Sequence, residues 1–308
     1  MGDFPIRQSS PTESRRQLRA LLAGPDPVEL PGPYDASSAQ LLAKIGFEAL
    51  WAGGYMGGVS RLGVADVNLM TMTEQVDFAR SLVDATGLPV VADADNGYGE
   101  ALQVARAVQL FERAGVAALV IEDQASPKHC AFYSRLPLNL VSKQEIVAKI
   151  KTAVDARTDE TMMIWARTDA LPAHDSVEEA LERAHACVEA GADAVFTPSA
   201  SLDRLAQIAA GWGRPQPLCM SSFNFPEMTR EQVKEIGYSL RLHPLPAILA
   251  ALRAVEVIFE ELYKTGSFGQ TTKSSMPTAE FEELIGAPVA ERMDEAYRAM
   301  TDATAVAS

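Results

Sequence analysis

Short apolar runs alternate with amphipathic segments from about residue 28 to residue 265. The runs are too short for helices and are bounded by Gly, Pro or charged residues. They predict strands at 28–31, 49–52, 89–95, 117–123, 162–168, 194–198, 217–221 and 239–242. Between them, apolar positions recurring three and four apart predict helices at 38–45, 73–85, 101–114, 142–156, 176–190, 202–210, 229–236 and 247–263. Thr71 with Glu74, and Ser142 with Glu145, have capping-box spacing. Gly46, Gly87, Gly115, Gly191 and Gly237 each follow a periodic segment, where a C-cap glycine belongs. Eight such repeats predict an α/β protein, a (β/α)8 TIM-type barrel closed by parallel strands under a ring of helices. The competing doubly wound sheet should carry GxGxxG after its first strand, and the cluster at Gly53, Gly54, Gly57 and Gly58 misses that spacing. The chain therefore divides into an N-terminal segment at 1–27 with one helix at 12–22, a barrel at 28–265, and an extension at 266–308 with helices at 278–285 and 289–300.

Composition narrows the class. Of 308 residues, 47% are hydrophobic and 22% charged, enough apolar content to order a large core. The formal net charge of −14 argues against nucleic acid or an anionic membrane as partner, since both require a basic footprint. No apolar run is long enough to span a bilayer, and the first residues lack the apolar core of a secretory signal. Cys130, Cys187 and Cys219 are widely spaced and form no CxxC pair, as expected of reduced thiols in a cytoplasmic protein.

In a parallel barrel, chemistry gathers where strands end. The third strand runs into Asp93-Ala-Asp95-Asn-Gly, and alternation places both carboxylates on one face. Two such acids repel unless a proton or cation lies between them. Glu122 and Asp123 end the next strand. A cluster of acids without matching His or Cys describes a site for a hard cation such as Mg²⁺, with helix capping or pairing to Arg as the alternative. Arg167 ends the fifth strand, placed either to grip a carboxylate or phosphate or to pair with Glu122 or Asp169. The segment 124–140 is long for a βα loop and carries Lys128, His129 and Cys130 together. A thiol near cations has a lowered pKa and can move protons, whereas an isolated Cys is more often buried and inert.

Taken in order, Tyr34-Asp-Ala-Ser-Ser38, Gly53-Gly54, Leu62-Gly-Val-Ala-Asp66, ADADNGYG at 92–99, Glu122-Asp123, Pro127-Lys-His-Cys130 and Ala166-Arg-Thr-Asp-Ala170 resemble the phosphoenolpyruvate mutase/isocitrate lyase superfamily. The resemblance spans about residues 28–265. It implies a barrel that binds Mg²⁺ (or Mn²⁺) and a 2-oxo or 2-hydroxy acid. It also implies oligomers, commonly dimers of dimers, whose subunits exchange a C-terminal helix. By position, Asp93 and Asp95 resemble the metal-site carboxylates, Glu122 an outer ligand acting through water, and Asp66 a metal-shell or orienting residue. Arg167 looks like the substrate-carboxylate clamp, and Tyr34 with the amides near Gly53 and Gly54 like oxyanion-binding groups.

The carbon–carbon lyases of the superfamily carry a gating loop reading Lys-Lys/Arg-Cys-Gly-His. Here it reads Lys128-His129-Cys130-Ala131-Phe132, which keeps the Lys and Cys and loses the Gly and terminal His. The stretches 196–199 and 220–225 contain no acid where such lyases carry Glu. With Phe132 and Phe223 in those regions, the distal pocket is expected to be apolar. The leading expectation is a Mg²⁺-dependent lyase for a substituted malate-type acid, with Cys130 protonating an enolate and Lys128 and His129 as further candidates for substrate contact or proton relay. The alternatives are a phosphorus–carbon enzyme, an oxaloacetate decarboxylase or hydrolase, and a non-catalytic barrel.

Overall fold

The computed structural model describes residues 10–133 and 136–306, with side chains up to residue 301. The reading of the first residues as lacking a secretory signal lies outside this range. In chain order the elements are α1 (Pro11–Leu22), β1 (Val28–Pro31), α2 (Ala36–Ile45), β2 (Leu50–Ala52), α3 (Gly54–Leu62), α4 (Met72–Thr86), β3 (Val90–Asp93), α5 (Ala101–Arg113), β4 (Ala118–Glu122), α6 (Lys143–Ala156), β5 (Met163–Arg167), α7 (Ala170–His174), α8 (Val177–Glu189), β6 (Ala194–Phe196), α9 (Leu202–Trp212), β7 (Leu218–Ser221), α10 (Arg230–Glu235), β8 (Leu240–His243), α11 (Pro246–Thr265), α12 (Thr278–Leu284) and α13 (Ala287–Val306). The strands form one parallel sheet in the order β1-β8-β7-β6-β5-β4-β3-β2, a nearly closed TIM-type barrel. Val28 pairs with Leu240 across the β1–β8 seam, and Glu122 with Arg167 across β4–β5.

Every strand expected from the sequence forms. The cause is visible in the burial: the strand residues of β2, β3, β4, β6 and β7 are buried throughout, so continuous apolar runs rather than alternation mark them. Thr71 and Glu74 complete the reciprocal cap of α4. At α6 the box is only half formed, with Ser142 accepting from the Glu145 N–H and no return bond. Helices α3 and α7 do not follow from the pattern. In α3, Gly54, Gly57 and Gly58 hide the period by their low propensity, and close packing requires Gly57, where a Cβ would lie 2.8 Å from Met70 Sδ.

Helix α1 straps the N-terminal end of the barrel. Arg15 donates to the carbonyls of Val116 and Glu112 and pairs with Asp159, while Arg19 reaches Asp193. This leaves the opposite end, where strands run into loops, open for chemistry. Beyond β8, α11 buries only Ile248, and Leu249, Leu252, Val255 and Phe259 stay exposed. Among the described residues no helix is long and apolar enough to cross a membrane.

Candidate active site

At the C-terminal end of the barrel lies a pocket enclosing about 490 Å³ of space not filled by protein, part of it open to solvent. Its polar side carries Asp66, Asp93 and Arg167; Cys130 borders it; Trp51, Phe132, Phe196, Phe223, Leu242 and Leu245 supply apolar walls. These residues come from strand ends or the loops just beyond them, so the sheet register fixes their relative positions.

The expected alternation of Asp93 and Asp95 along one strand is corrected by the structure. β3 stops at Asp93, and Asp95 lies in a turn with φ of 48°, in the left-handed region. The two acids meet because the chain curls back: the Asp95 N–H donates to Asp93 Oδ1 at 3.0 Å. Asp93 Oδ2 accepts from the Gly54 N–H at 3.3 Å, so that amide serves the carboxylate rather than standing free for an oxyanion. Gly53 borders the pocket, and a Cβ there would sit 2.3 Å from Trp51 Nε1. Tyr34, expected beside these amides, instead borders a separate groove against α11 with Val59, Phe78 and Leu252.

Lys128 is the cation of the acid cluster. Its Nζ lies 2.6 Å from Asp66 Oδ1 and 2.8 Å from Asp95 Oδ1, and the side chain is fully buried. Burial works against its charge, but the carboxylates of Asp95 and Asp66 prevail and hold its pKa well above the usual value. Asp95 is pushed up to about 6: burial, with Asp93 and Asp66 beside it, outweighs the attraction of Lys128. Asn68 Nδ2 donates to Asp95 Oδ2 at 3.3 Å.

The segment carrying Lys128 is pinched at its base by the Gln124–Leu140 bridge and docked on the turn around Asp66. The Cys130 N–H donates to the Asp66 carbonyl at 3.1 Å, and Tyr133 Oη accepts from the Asp66 N–H at 3.2 Å. The expectation of a lowered Cys130 pKa is overturned. Burial, reinforced by Asp66, pushes the thiol up to about 12, outweighing the opposite pull of Arg167 and Lys128. His129 turns away from the pocket. Its N–H donates to Gln124 Oε1, its carbonyl accepts from Gln124 Nε2, and its Nδ1 lies 3.1 Å from the Pro137 carbonyl.

Arg167 combines both roles left open by the sequence. Nε and Nη2 form a two-pronged pair with Asp169 at 2.9 Å each, while the guanidinium borders the pocket and lies over the Phe196 ring. Glu122 Oε2 is 3.0 Å from Arg167 Nη1, at an angle too oblique for a hydrogen bond; neither Glu122 oxygen has a hydrogen-bond partner. Burial drives its pKa well above the usual value. Asp123 turns away from the pocket, accepting from Thr168 Oγ1 and the Asp169 N–H.

Asn68 and Gln124 were not singled out as site residues from the sequence, and Asp169 only as a possible partner of Arg167. For Gln124 the signal was adjacency to the Glu-Asp segment, but the partners of Asn68 and Gln124 lie 27 and 45 positions away. Among the described residues no three His, Cys, Asp or Glu side chains converge to hold a metal by themselves. A hard cation bound through one or two carboxylates, waters and substrate oxygens still fits. Both Glu122 oxygens are buried without a hydrogen bond, one of them facing Arg167, and Asp93 and Asp95 supply oxygen donors.

Acids, an arginine and a buried thiol at the C-terminal mouth of a parallel barrel define a candidate enzyme of the TIM-barrel class, in which chemistry sits at that end. Comparison with known proteins makes the family specific. Residues 18–263 match the family model described as phosphoenolpyruvate phosphomutase. The chain is 35% identical over 285 residues to 2,3-dimethylmalate lyase of Eubacterium barkeri, covering 91% of this chain and 97% of that one. A phosphoenolpyruvate phosphomutase structure from Streptomyces platensis subsp. rosaceus superimposes with a TM-score of 0.88 at 31% identity, over 92% of this chain and 99% of that one. A phosphonopyruvate hydrolase in complex with oxalate and Mg²⁺ gives 0.83 at 28%, over 92% and 97%. The chain belongs to the phosphoenolpyruvate mutase/isocitrate lyase superfamily and is an enzyme of the lyase class.

Proposed function

We propose that this enzyme is a divalent-metal-dependent carbon–carbon lyase acting on a substituted malate-type 2-hydroxy acid. The observation that carries the reading is a buried, neutral Cys130 thiol on the same pocket as Asp93 and Arg167. Asp93 and Asp95 would hold Mg²⁺, with Glu122 reached through water. When bound, the ion would polarise the 2-oxygen of the acid and offset its developing charge. The Arg167 N–H groups not taken by Asp169 would hold the neighbouring carboxylate, while Asp169 and Gln124 fix the guanidinium's orientation. Cleavage between carbons 2 and 3 turns the 2-hydroxyl into a carbonyl, its proton passing to water or a carboxylate of the acid cluster; the C2–C3 electron pair leaves with the enolate, to which the Cys130 S–H would return a proton. Lys128 holds the acid cluster and the loop together around that proton donor.

Likeness to a phosphoenolpyruvate phosphomutase structure supports a second reading, the cleavage or transfer of a phosphorus–carbon bond. One experiment separates them: a Mg²⁺-supplemented panel of 2-hydroxy and 2-oxo diacids and phosphonates, with pyruvate, oxalate and phosphate detected separately. The lyase reading expects release of a 2-oxo acid from an alkylmalate, abolished by a chelator and restored by Mg²⁺. Turnover of phosphonates alone, or turnover unaffected by chelation, would overturn it.

A further inference from the structure

The roof of the pocket is an aromatic pair assembled from two separate segments. Phe132, from the loop that carries Cys130, and Phe223, just beyond β7, stack with ring centroids 4.5 Å apart and planes 24° from parallel. Phe223 is set on a firm base. Its N–H donates to Ser221 Oγ, and the neighbouring Ser222 hydroxyl lies 2.9 Å from Nδ1 of His243, whose Nε2 is held by Glu29. The stack joins the loop of Cys130 to the segment beyond β7. Around it the pocket is apolar, with Phe196, Leu242 and Leu245 alongside. Arg167 is the only cation among the described residues that border the pocket, and Asp169 already takes two of its nitrogens.

We infer that Phe132 and Phe223 together determine specificity: they close over the arm at carbon 3 of the acid, accepting an alkyl or aryl group and refusing a further carboxylate. The inference rests on the proposed 2-hydroxy acid site and deepens it. A carboxylate beneath the stack would lose its water without gaining a cation, which is costly. An added methylene there gains about 10–200-fold in discrimination from an apolar pocket. Since Phe132 and Cys130 share one loop, an arm that fits the stack also favours the geometry in which the thiol borders the reacting carbon.

The test uses the full-length enzyme with Mg²⁺. Dissociation constants by calorimetry and kcat/KM are compared for 3-alkylmalates and for an isocitrate-type acid of matching length whose arm ends in a carboxylate. The wild-type enzyme is expected to favour the alkyl arm by about 100-fold or more, roughly two methylene increments. Phe223→Arg should reduce that ratio at least tenfold by supplying a cation, and Phe132→Ala should reduce it by removing half of the roof. Phe223→Leu should keep it, and thermal melts of each variant check folding. A wild-type ratio near one, or a ratio unchanged in Phe223→Arg, overturns the assignment. If no acid is cleaved, the lyase reading falls while the ratio of dissociation constants still decides the roof. Absence of binding by every acid overturns both.

Discussion

Cys130 illustrates how a neighbour's charge can be committed elsewhere. Lys128 is two residues away, but its ammonium is bound by Asp66 and Asp95, so the thiol feels burial more than attraction and rises to about 12. A group with that pKa keeps its proton throughout the working range, which suits an acid and not a nucleophile. Cys130→Ser should lower kcat by about 10²–10⁴-fold with little change in KM, because a hydroxyl is a weaker acid than a thiol. His129→Gln should be mild, since its ring lies against the Pro137 carbonyl; the reverse pattern in steady-state kinetics would make His129 the proton donor. Arg167→Lys should lower kcat/KM by at least about 100-fold, because a point charge cannot hold Asp169 at two nitrogens and present further N–H groups to a substrate. Turnover close to wild type would reduce Arg167 to a structural ion pair.

Between elements, the charged seam joining β1 to β8 stands out. Glu29 accepts from Arg241 Nε and Nη2 at 2.9 and 2.7 Å and is also held by His243. Burial alone would raise its pKa, but the bonds from His243 and Arg241 bring it down to about 2 from an ordinary 4.5. With the folded value below the unfolded one, the contribution is complete above pH 4.5 and is lost as pH falls towards 2. That shift corresponds to about 3 kcal/mol, an order-of-magnitude figure. Melting temperatures from pH 6 down to pH 2 should fall steeply in the wild type, and Glu29→Gln, less stable at neutral pH, should show a shallower fall. Parallel curves would remove Glu29 from the acid response.

For the whole molecule, the face of α11 is the unresolved account. A helix ringing a barrel should bury an apolar stripe, yet Leu252 is 54% and Phe259 59% exposed. The groove between α11 and the barrel, with Tyr34, Val59 and Phe78 on its wall, continues the same apolar surface. We propose that a second copy of the chain covers it, in keeping with the helix exchange implied by the family resemblance. Sedimentation at micromolar concentration should give an oligomer, and Leu252→Glu should weaken it. A stable wild-type monomer would refute the arrangement.

The alternation of runs and amphipathic segments, with caps at Thr71 and Ser142, was sufficient for the eight strands and most helices, because burial and capping are local consequences of residue type. The order of acids, arginine and thiol along the chain was likewise sufficient for the family. Helix α3 was not legible, since Gly57 is required by the approach of Met70, 13 positions further along the chain, outside a local window. Nor was the partnering of charges. Which carboxylate takes Lys128 and that Gly54 serves Asp93 depend on strand ends brought together by barrel closure, whereas the pairing of Arg167 with Asp169, two positions on, was open to the sequence. The raised pKa of Cys130 follows from its burial in the closed mouth, and the roof of Phe132 and Phe223, 91 positions apart in the chain, from the same closure. Sequence determines which groups are available at the strand ends; only closure of the barrel decides which of them remain free to meet a substrate.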